Sequence, residues 1–176
     1  MKDDLKIKVA TTIDDMKIIN DIRIASWRET YQNIVPNQYF DTMKYDGWEE
    51  DIMESIHNDR LEANILLKHG KSIGYVICGN STDDTLPNYG EIVYLYLQPN
   101  FIGKGYGHIL FNYSLKKLIE RGFEKCFLWV FKDNIRARNF YEKSGFKFDG
   151  YICDVKILNE FLTGYRYTIK FGDIDE

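Results

Sequence analysis

The segment Gln98–His108, QPNFIGKGYGH, carries three glycines at alternate positions after a run of apolar residues. Glycine tolerates positive φ and lets a ligand approach the main chain closely. The preceding EIVYLYL is apolar after its first residue, as expected of a central strand. Helical periodicity follows, with Phe111, Leu115 and Leu118 on one face and Gly122 as the stop. A glycine loop between a buried strand and a helix N-terminus predicts a site for a phosphate-bearing ligand.

Two known phosphate-binding motifs do not match this loop. The P-loop pattern G-x-x-x-x-G-K-[ST] is absent, and Gly103, Gly105 and Gly107 do not spell the dinucleotide fingerprint G-x-G-x-x-G. A tight strand-to-helix turn without a ligand is the structural alternative. A P-loop nucleotide-binding protein is a functional alternative, but its Lys–hydroxyl pair is missing.

The composition predicts one domain, residues 1–176, because 44% of the chain is hydrophobic and 15% aromatic. A net charge of −4 argues against a nucleic-acid-binding protein, which needs a clustered basic excess. The N-terminal MKDDLKIK has no apolar signal core, and no apolar run approaches the ~20 residues of a membrane span. We therefore expect a cytoplasmic protein without nucleic-acid or membrane partners.

The cysteines indicate neither a disulfide framework nor a metal site. Cys78, Cys126 and Cys153 are odd in number, widely spaced and never arranged as C-x-x-C. We expect free, buried thiols and no bound metal.

The first half of the chain is predicted to form a strand, two helices and a hairpin. Residues 5–10 alternate apolar and polar side chains, and Thr11 or Thr12 can cap the helix that follows. A short acidic helix is predicted over residues 45–58, and strands 63–68 and 72–78 flank a turn. The first helix has two apolar stripes, one of Ile18, Ile19, Ile22 and Ala25, the other of Ile24, Trp27 and Tyr31.

The second half alternates strands with helices. Strands 91–97 and 126–131 are each followed by a helix, 105–121 and 134–144, and two closing strands span 147–155 and 165–171. A right-handed crossover then makes the first two strands a parallel pair. The predicted fold class is α/β: a central mixed sheet with a parallel pair at the ligand site and helices on both faces.

Two motifs make the chain resemble the GNAT superfamily of N-acetyltransferases. The family signature Q/R-x-x-G-x-G/A corresponds to Ile102, Gly103, Lys104, Gly105, Tyr106 and Gly107, preceded by LYLQP. The second motif, LWVFKDNIRARNFYEKSGF, has the family's strand, Asn, small residue, Tyr and terminal G-F. The resemblance runs from about Ile7 to Ile169. Ile102 departs from the signature, because Arg or Gln is usual there, and so removes a side-chain donor near the pyrophosphate.

The resemblance implies an acyltransferase that uses acetyl-coenzyme A (acetyl-CoA) as cosubstrate. The acetyl group would pass directly to a primary amine of a small molecule or peptide, through a tetrahedral intermediate. The backbone of Leu95 and Leu97 would pair with the pantetheine arm, and a main-chain N–H of that strand would stabilise the oxyanion. The amides of Gly103 to His108, helped by Lys104, would hold the pyrophosphate.

The helix after the second strand supplies further implied site residues. Asn134 and Tyr141 are two turns apart on one stripe, with Ala137 and Arg138 between them. In the family this stripe faces coenzyme A, and Tyr141 would protonate the departing thiolate. Packing in the core is the alternative for Tyr141, and a simple helix cap is the alternative for Asn134.

The general base and the acceptor site are less defined. Glu91 opens the central strand, where many relatives carry an acid that works directly or through water, and a solvated strand-end carboxylate is the alternative. Trp27 and Tyr31 would offer aromatic surface to an acceptor or a cation, and packing against the neighbouring helix is the alternative. The acidic residues between Asp46 and Glu54 leave a polyamine open, although a charge run is usually a solvated face.

A non-catalytic acetyl-CoA sensor on the same fold is the second functional hypothesis. It is motivated by Ile102 and by the undefined base. The sequence fixes neither the amine acceptor nor the oligomeric state, and a homodimer is left open.

Overall fold

The computed structural model describes residues 4–173 and contains one mixed sheet flanked by helices. The strands are β1 (Leu5–Ala10), β2 (Leu61–Lys68), β3 (Lys71–Asn80), β4 (Gly90–Leu97), β5 (Lys125–Phe131), β6 (Lys147–Ile157) and β7 (Glu160–Lys170). The helices are α1 (Ile13–Tyr31), α2 (Asn37–Thr42), α3 (Trp48–His57), α4 (Tyr106–Glu120) and α5 (Ile135–Lys143), with short 3-10 turns at Pro99–Phe101 and Phe171–Asp173.

Within the described range the seven strands follow the order β1-β2-β3-β4-β5-β7-β6. Neighbouring strands are antiparallel except β4 and β5, which are parallel and are connected through α4. The predicted mixed sheet and its parallel pair are therefore confirmed. The β2–β3 hairpin is also confirmed, since His69 and Gly70 both have positive φ, as a tight two-residue turn requires.

The parallel pair separates soon after it begins. β4 and β5 are paired only at Gly90–Cys126 and Glu91–Phe127. A β-bulge in β4 accompanies the separation: Tyr94 pairs with Ile77 and Ile92 with Cys78, which leaves Val93 without a partner in β3. Beyond Glu91, the edge of β4 that faces β5 therefore carries peptide groups without a strand partner, and buried peptide groups need one.

Helices cover both faces of the sheet, as predicted. One core lies beneath α4 and α5 and contains Leu110, Phe111, Leu118 and Phe146. The other lies beneath α1 and α3 and contains Met16, Ile19, Ile65 and Tyr75. A smaller cluster joins the end of α1 and α2 to the β6–β7 hairpin.

The structure corrects several local predictions. Ile19 and Ile22 face the core, but Ile18 is 39% exposed, because it projects from the flank of the predicted stripe. The predicted acidic helix starts later, at Trp48, since Gly47 has φ +75 and ends any helical run before it. The short helix α2 was not predicted from the sequence.

The predictions for the helix caps and for the burial of the cysteines are confirmed in part. Thr12 caps α1 in a capping box with Asp15, which confirms one of the two predicted caps. Cys78 and Cys126 are buried free thiols, as expected, whereas Cys153 is exposed on β6, an edge strand with one unpaired side. Among residues 4–173 no group of His, Cys, Asp or Glu side chains has a metal-binding arrangement. None of the helices in this range is long and apolar enough to cross a membrane.

Candidate active site

The glycine loop follows β4 and leads directly into α4. Gly103 has φ +77 and Gly105 has φ +86, a region that residues with a side chain rarely adopt. A Cβ on either glycine would meet no atom within 4 Å, so the backbone conformation rather than crowding requires glycine here. Gly105 is the N-cap of α4 and makes no side-chain capping bond.

The main-chain amides of this loop are free to bind a ligand. Within the described chain, Ile102 N donates to Pro99 O and His108 N donates to Gly105 O, while the five amides of residues 103–107 have no acceptor. The amide of His108 closes a turn onto Gly105 O, unlike the other five amides of the predicted set, and its contribution stays a prediction. Five unpaired amides at the positive end of a helix fit a pyrophosphate.

A cavity of about 350 Å³ opens above this loop, here called the glycine-loop cavity. Its wall contains many of the predicted cofactor residues: Leu95, Leu97, Ile102, Gly103, Gly105, Gly107 and His108 from β4 and the loop, with Asn134, Ala137 and Tyr141 from α5. Ile102 makes its part of the wall apolar. The imidazole of His108 lies 4.7 Å from the Phe140 ring, measured between ring centroids.

Three predicted cofactor residues have side chains outside this cavity. Lys104 is exposed and its ammonium group lies 5.9 Å from the Phe101 ring. The Tyr106 side chain is buried and its hydroxyl accepts a hydrogen bond from Lys68. Arg138 donates to the Tyr167 hydroxyl and to Lys132 O. Residues two positions apart in a helix face different sides. Arg138 therefore points away from the cavity, and the arginine two positions before it lines the cavity wall.

That arginine is Arg136, which the sequence analysis missed. Arg136 is exposed at the first turn of α5 and lines the glycine-loop cavity. The signal was available in the pattern NIRAR, where Arg136 is one residue from Ala137, but helix spacing favoured Arg138.

A second cavity, of about 410 Å³, lies where β4 and β5 separate. Rings dominate its wall, so it is called the aromatic cavity; they are Trp27, Tyr31, Tyr94, Tyr96, Trp129, Phe131 and Tyr141. The predicted acceptor residues Trp27 and Tyr31 are both part of it. Tyr94, Tyr96 and Trp129 were missed, although the alternation in EIVYLYL already put two tyrosines on one face of the strand.

The two cavities meet at a common set of residues. Leu95 and Tyr96 from β4, and Asn134, Ala137 and Tyr141 from α5, line both. These shared residues lie beside the point where β4 and β5 separate, so a group held against them borders both cavities.

Tyr141 is the proton-bearing group at this junction. Its side chain is 8% exposed, and no residue of the described range hydrogen bonds to its hydroxyl. Burial raises the pKa of Tyr141 well above its usual value of 10, so the phenol keeps its proton throughout the neutral and mildly alkaline range.

Hydrogen bonds fix the walls of the aromatic cavity. The Asn134 carboxamide accepts from Ala137 N at 3.1 Å and donates to the Tyr31 hydroxyl at 3.0 Å. Trp27 Nε1 donates to the Tyr96 hydroxyl at 3.0 Å. Burial raises the pKa of Tyr31 to about 12, so this hydroxyl is also neutral. These bonds tie α1 to β4 and α5.

Glu91 lies apart from the junction. Its side chain is 3% exposed, it accepts a hydrogen bond from Thr82 N at 2.7 Å, and it is absent from the linings of both cavities. Burial raises its pKa, with a smaller contribution from the Asp83 charge. A role for Glu91 as base therefore requires an intervening carrier such as water.

Comparisons with known proteins agree with this geometry. Residues 22–146 match the family model described as the acetyltransferase (GNAT) family. The spermidine N(1)-acetyltransferase of Thermoplasma acidophilum is 26% identical over 145 residues, which cover 77% of this chain and 84% of that protein. An uncharacterised N-acetyltransferase of Bacillus subtilis is 25% identical over 126 residues, 69% of each chain.

Solved structures share the fold. An N-acetyltransferase of Thermoplasma acidophilum in complex with coenzyme A has a TM-score of 0.71 at 22% identity, covering 94% of this chain and 99% of that one. A ribosomal-protein-alanine N-acetyltransferase from Brucella melitensis has a TM-score of 0.74 at 16% identity, with coverage of 94% and 99%. The family match covers most of the chain and includes both the glycine loop and α5. The chain therefore belongs to the GNAT acetyltransferase family and is an N-acetyltransferase that uses acetyl-CoA.

Proposed function

We propose that this enzyme transfers the acetyl group of acetyl-CoA directly to a primary amine of a small molecule or peptide. The observation that carries the proposal is the junction at Tyr141, where the glycine-loop cavity and the aromatic cavity meet. The glycine-loop cavity takes the cosubstrate and the aromatic cavity takes the amine. Tyr141 then stands where the two reactants come together.

The chain's own groups fit the cosubstrate. The unpaired amides of residues 103–107 and the N-terminus of α4 suit its pyrophosphate, and the exposed guanidinium of Arg136 supplies the positive charge that Ile102 cannot. The unpaired edge of β4, which includes Leu95 and Leu97, offers peptide groups to an extended arm. Acetyl-CoA supplies an acetyl thioester, whose carbonyl carbon accepts a nucleophile.

The transfer exchanges one bond for another. A nitrogen–carbon bond forms, the carbon–sulfur bond breaks, the nitrogen loses a proton and the sulfur gains one. Tyr141 is suited to give the proton to sulfur, because its phenol is buried and protonated and its hydroxyl has no partner in the described chain. A β4 main-chain N–H at the junction is suited to stabilise the negative charge on the carbonyl oxygen.

The proton lost by nitrogen needs an acceptor outside the cavity walls. Water at the junction carries it away and returns one to Tyr141, which completes the balance. Glu91 takes part only as the end of such a water relay, since its carboxylate lies outside both cavities.

No cysteine is required as an intermediate acetyl carrier. Burial raises the pKa of Cys78 to about 12 and that of Cys126 well above its usual value, so neither provides a thiolate, and neither lines a cavity. Cys153 does line the aromatic cavity. Replacement of Cys153 by Ala should therefore leave turnover largely intact, and loss of turnover would support a covalent route.

The names of the relatives do not determine which kind of molecule carries the acceptor amine. One is named for spermidine and one structural neighbour for a ribosomal-protein alanine, so the names together include a small molecule and a protein. A primary amine of a small molecule or peptide is the statement that fits both.

The proposal is tested by a two-part assay on the purified protein. Acetyl-CoA should raise the melting temperature, because a ligand that binds only the native state stabilises it. Free thiol should then appear in the presence of a primary amine and not in its absence. A thermal shift without thiol release from any amine would instead support the sensor hypothesis, and no shift at saturating acetyl-CoA would contradict cosubstrate binding.

A further inference from the structure

The wall of the aromatic cavity contains no charged group. Among residues 4–173, the side chains that line it are aromatic or aliphatic, apart from Asn134 and Cys153. Asn134 is already engaged, since its carboxamide bonds to Ala137 N and to Tyr31. A bound molecule therefore meets rings, methyl groups, tyrosine hydroxyls and main-chain peptide groups, but no carboxylate.

The acidic residues that left a polyamine acceptor open in the sequence make their contacts elsewhere. Asp46 pairs with buried Arg23 at 2.6 Å and accepts from Trp48 N, and Glu49 accepts from Asn20 at 2.7 Å. None of the acids between residues 46 and 54 lines the aromatic cavity. They hold α1 against α3 or face solvent.

The charged side chain behind the aromatic cavity, Arg166, is paired with two carboxylates. Arg166 lies with its guanidinium carbon 5.9 Å from the Trp129 ring, and its side chain is 9% exposed. It pairs with Asp83 at 2.9 Å and with Asp149 at 2.7 Å. The three side chains form an ion-pair network with a net charge of −1, but both carboxylates are bound to Arg166 and none of the three residues lines the aromatic cavity.

This distribution of charge selects against polyamines. Every ammonium group that enters an apolar cavity must lose its water, and no carboxylate is there to compensate. A polyamine keeps further ammonium groups after its reacting nitrogen has been placed. Ring faces attract a cation, but only one ammonium group sits at the junction.

From these observations we infer that the acceptor is a primary amine carried by an uncharged apolar body, with an arylalkylamine as the representative class. The inference rests on the proposed function and names its substrate class. The cavity volume of about 410 Å³ lies within the range of small-molecule sites. The rings of Trp27, Tyr94 and Trp129 offer edge and face contacts to an aromatic body.

The same lining also prepares the amine for reaction. Burial of an amine in apolar surroundings lowers its pKa, because the charged form loses solvation. An apolar amine therefore enters the junction in its neutral, nucleophilic form. The ammonium proton goes to solvent on entry, and the further proton that nitrogen loses in the transfer leaves through water, so the cavity wall needs no carboxylate base.

The test is a rate comparison with the full chain at saturating acetyl-CoA. Thiol release is measured with 2-phenylethylamine, hexylamine, putrescine and spermidine at one pH and ionic strength. We expect kcat/KM for 2-phenylethylamine to exceed that for spermidine by at least about tenfold. Equal or higher kcat/KM for spermidine would overturn the inference while leaving the proposed function standing. Thiol release with none of the four, nor with a neutral tripeptide, would overturn the proposed function itself.

A charge placed in the wall gives an independent test. Val155 lines the aromatic cavity from β6 and is 42% exposed, so an acid is tolerated there. The variant Val155→Asp should raise kcat/KM for spermidine and lower it for 2-phenylethylamine, each about tenfold. Ile152→Asp is the matched control, since Ile152 is an exposed residue of the same strand outside the lining.

The control separates local from general electrostatics. Ile152→Asp should leave the ratio of the two kcat/KM values within about twofold of the parent, because a surface charge is screened. An equal change in both variants would mean that net charge, not the cavity wall, sets the preference, and would overturn the inference.

Discussion

Asn134 joins the two helices that border the acceptor side of the junction: its carboxamide caps α5 and donates to the hydroxyl of Tyr31, in the last turn of α1, across 3.0 Å. One side chain therefore both starts the helix that carries Tyr141 and fixes the aromatic wall.

The two functions of Asn134 can be separated by substitution. Asn134→Ala removes the cap and the link, and should lower the free energy of unfolding by about 1 to 2 kcal/mol. Asn134→Ser keeps an acceptor for Ala137 N but is too short to reach the Tyr31 hydroxyl, so it should retain most of the stability. Chemical denaturation measures both. Equal losses in the two variants would mean that the link, and not the cap, stabilises this region.

Tyr141 should be needed for turnover and not for binding. Tyr141→Phe removes the proton donor and should lower kcat by about a hundredfold, within the range for general acid catalysis. The thermal shift caused by acetyl-CoA should persist. Tyr113→Phe is the control, because the Tyr113 hydroxyl bonds to Asn64 and lines neither cavity. An unchanged kcat in Tyr141→Phe would remove the phenol from the reaction.

The pH dependence of kcat provides a second measurement on the same group. Burial raises the pKa of Tyr141 above 10, so its protonated form persists beyond the range of an ordinary tyrosine. We expect that titration of Tyr141 causes no fall of kcat between pH 7 and 10. Any fall seen in the parent enzyme over this range should also be seen in the Phe variant. A decline with a midpoint below 9 that disappears on substitution would contradict a buried, protonated phenol.

The glycine loop should be required for cosubstrate affinity. Gly105→Ala places a Cβ on a residue with φ +86, which should cost about 1 kcal/mol of stability and displace the amides of residues 103–107. We expect KM for acetyl-CoA to rise about tenfold. Gly150→Ala is a matched control, since Gly150 has φ +91 and open space but lies in β6. A similar rise of KM in both variants would indicate a general loss of stability.

Glu91 should make stability depend on pH. Because burial raises its folded-state pKa, the folded chain binds this proton more tightly than the unfolded chain does, and stability falls as pH rises from about 4.5, the unfolded value, through the folded pKa. Glu91→Gln should therefore increase stability at neutral pH and have no effect well below pH 4. Thermal denaturation across pH tests this. The kcat of the Glu91→Gln variant reports separately whether the water relay ends at Glu91.

The strands and long helices were predictable because their patterns are local. EIVYLYL and CFLWVF are apolar runs of strand length, and Gly122 and Gly145 end the helices that follow them. Helix α2 was missed because its six residues, NQYFDT, bury only Phe40 and follow Pro36 without a side-chain cap. The prediction that residues 1–176 form one domain stays a prediction.

The site residues that backbone conformation requires were predictable from the sequence. Those that depend on how a helix or strand is oriented against the cavity were not. Gly103 and Gly105 are required by positive φ, which the sequence signals directly. The choice between Arg136 and Arg138 depends on where α5 packs against the cleft, and no local pattern reports that. The position of Glu91 relative to the junction likewise depends on where β4 and β5 separate and on the bulge at Val93.

Direct transfer at the junction is tested most directly by initial rates of thiol release, with acetyl-CoA and 2-phenylethylamine both varied. If both substrates occupy their cavities together, double-reciprocal plots should intersect, because a complex of enzyme with both substrates must form. Parallel lines, the pattern of a covalent acetyl-enzyme, would contradict the account.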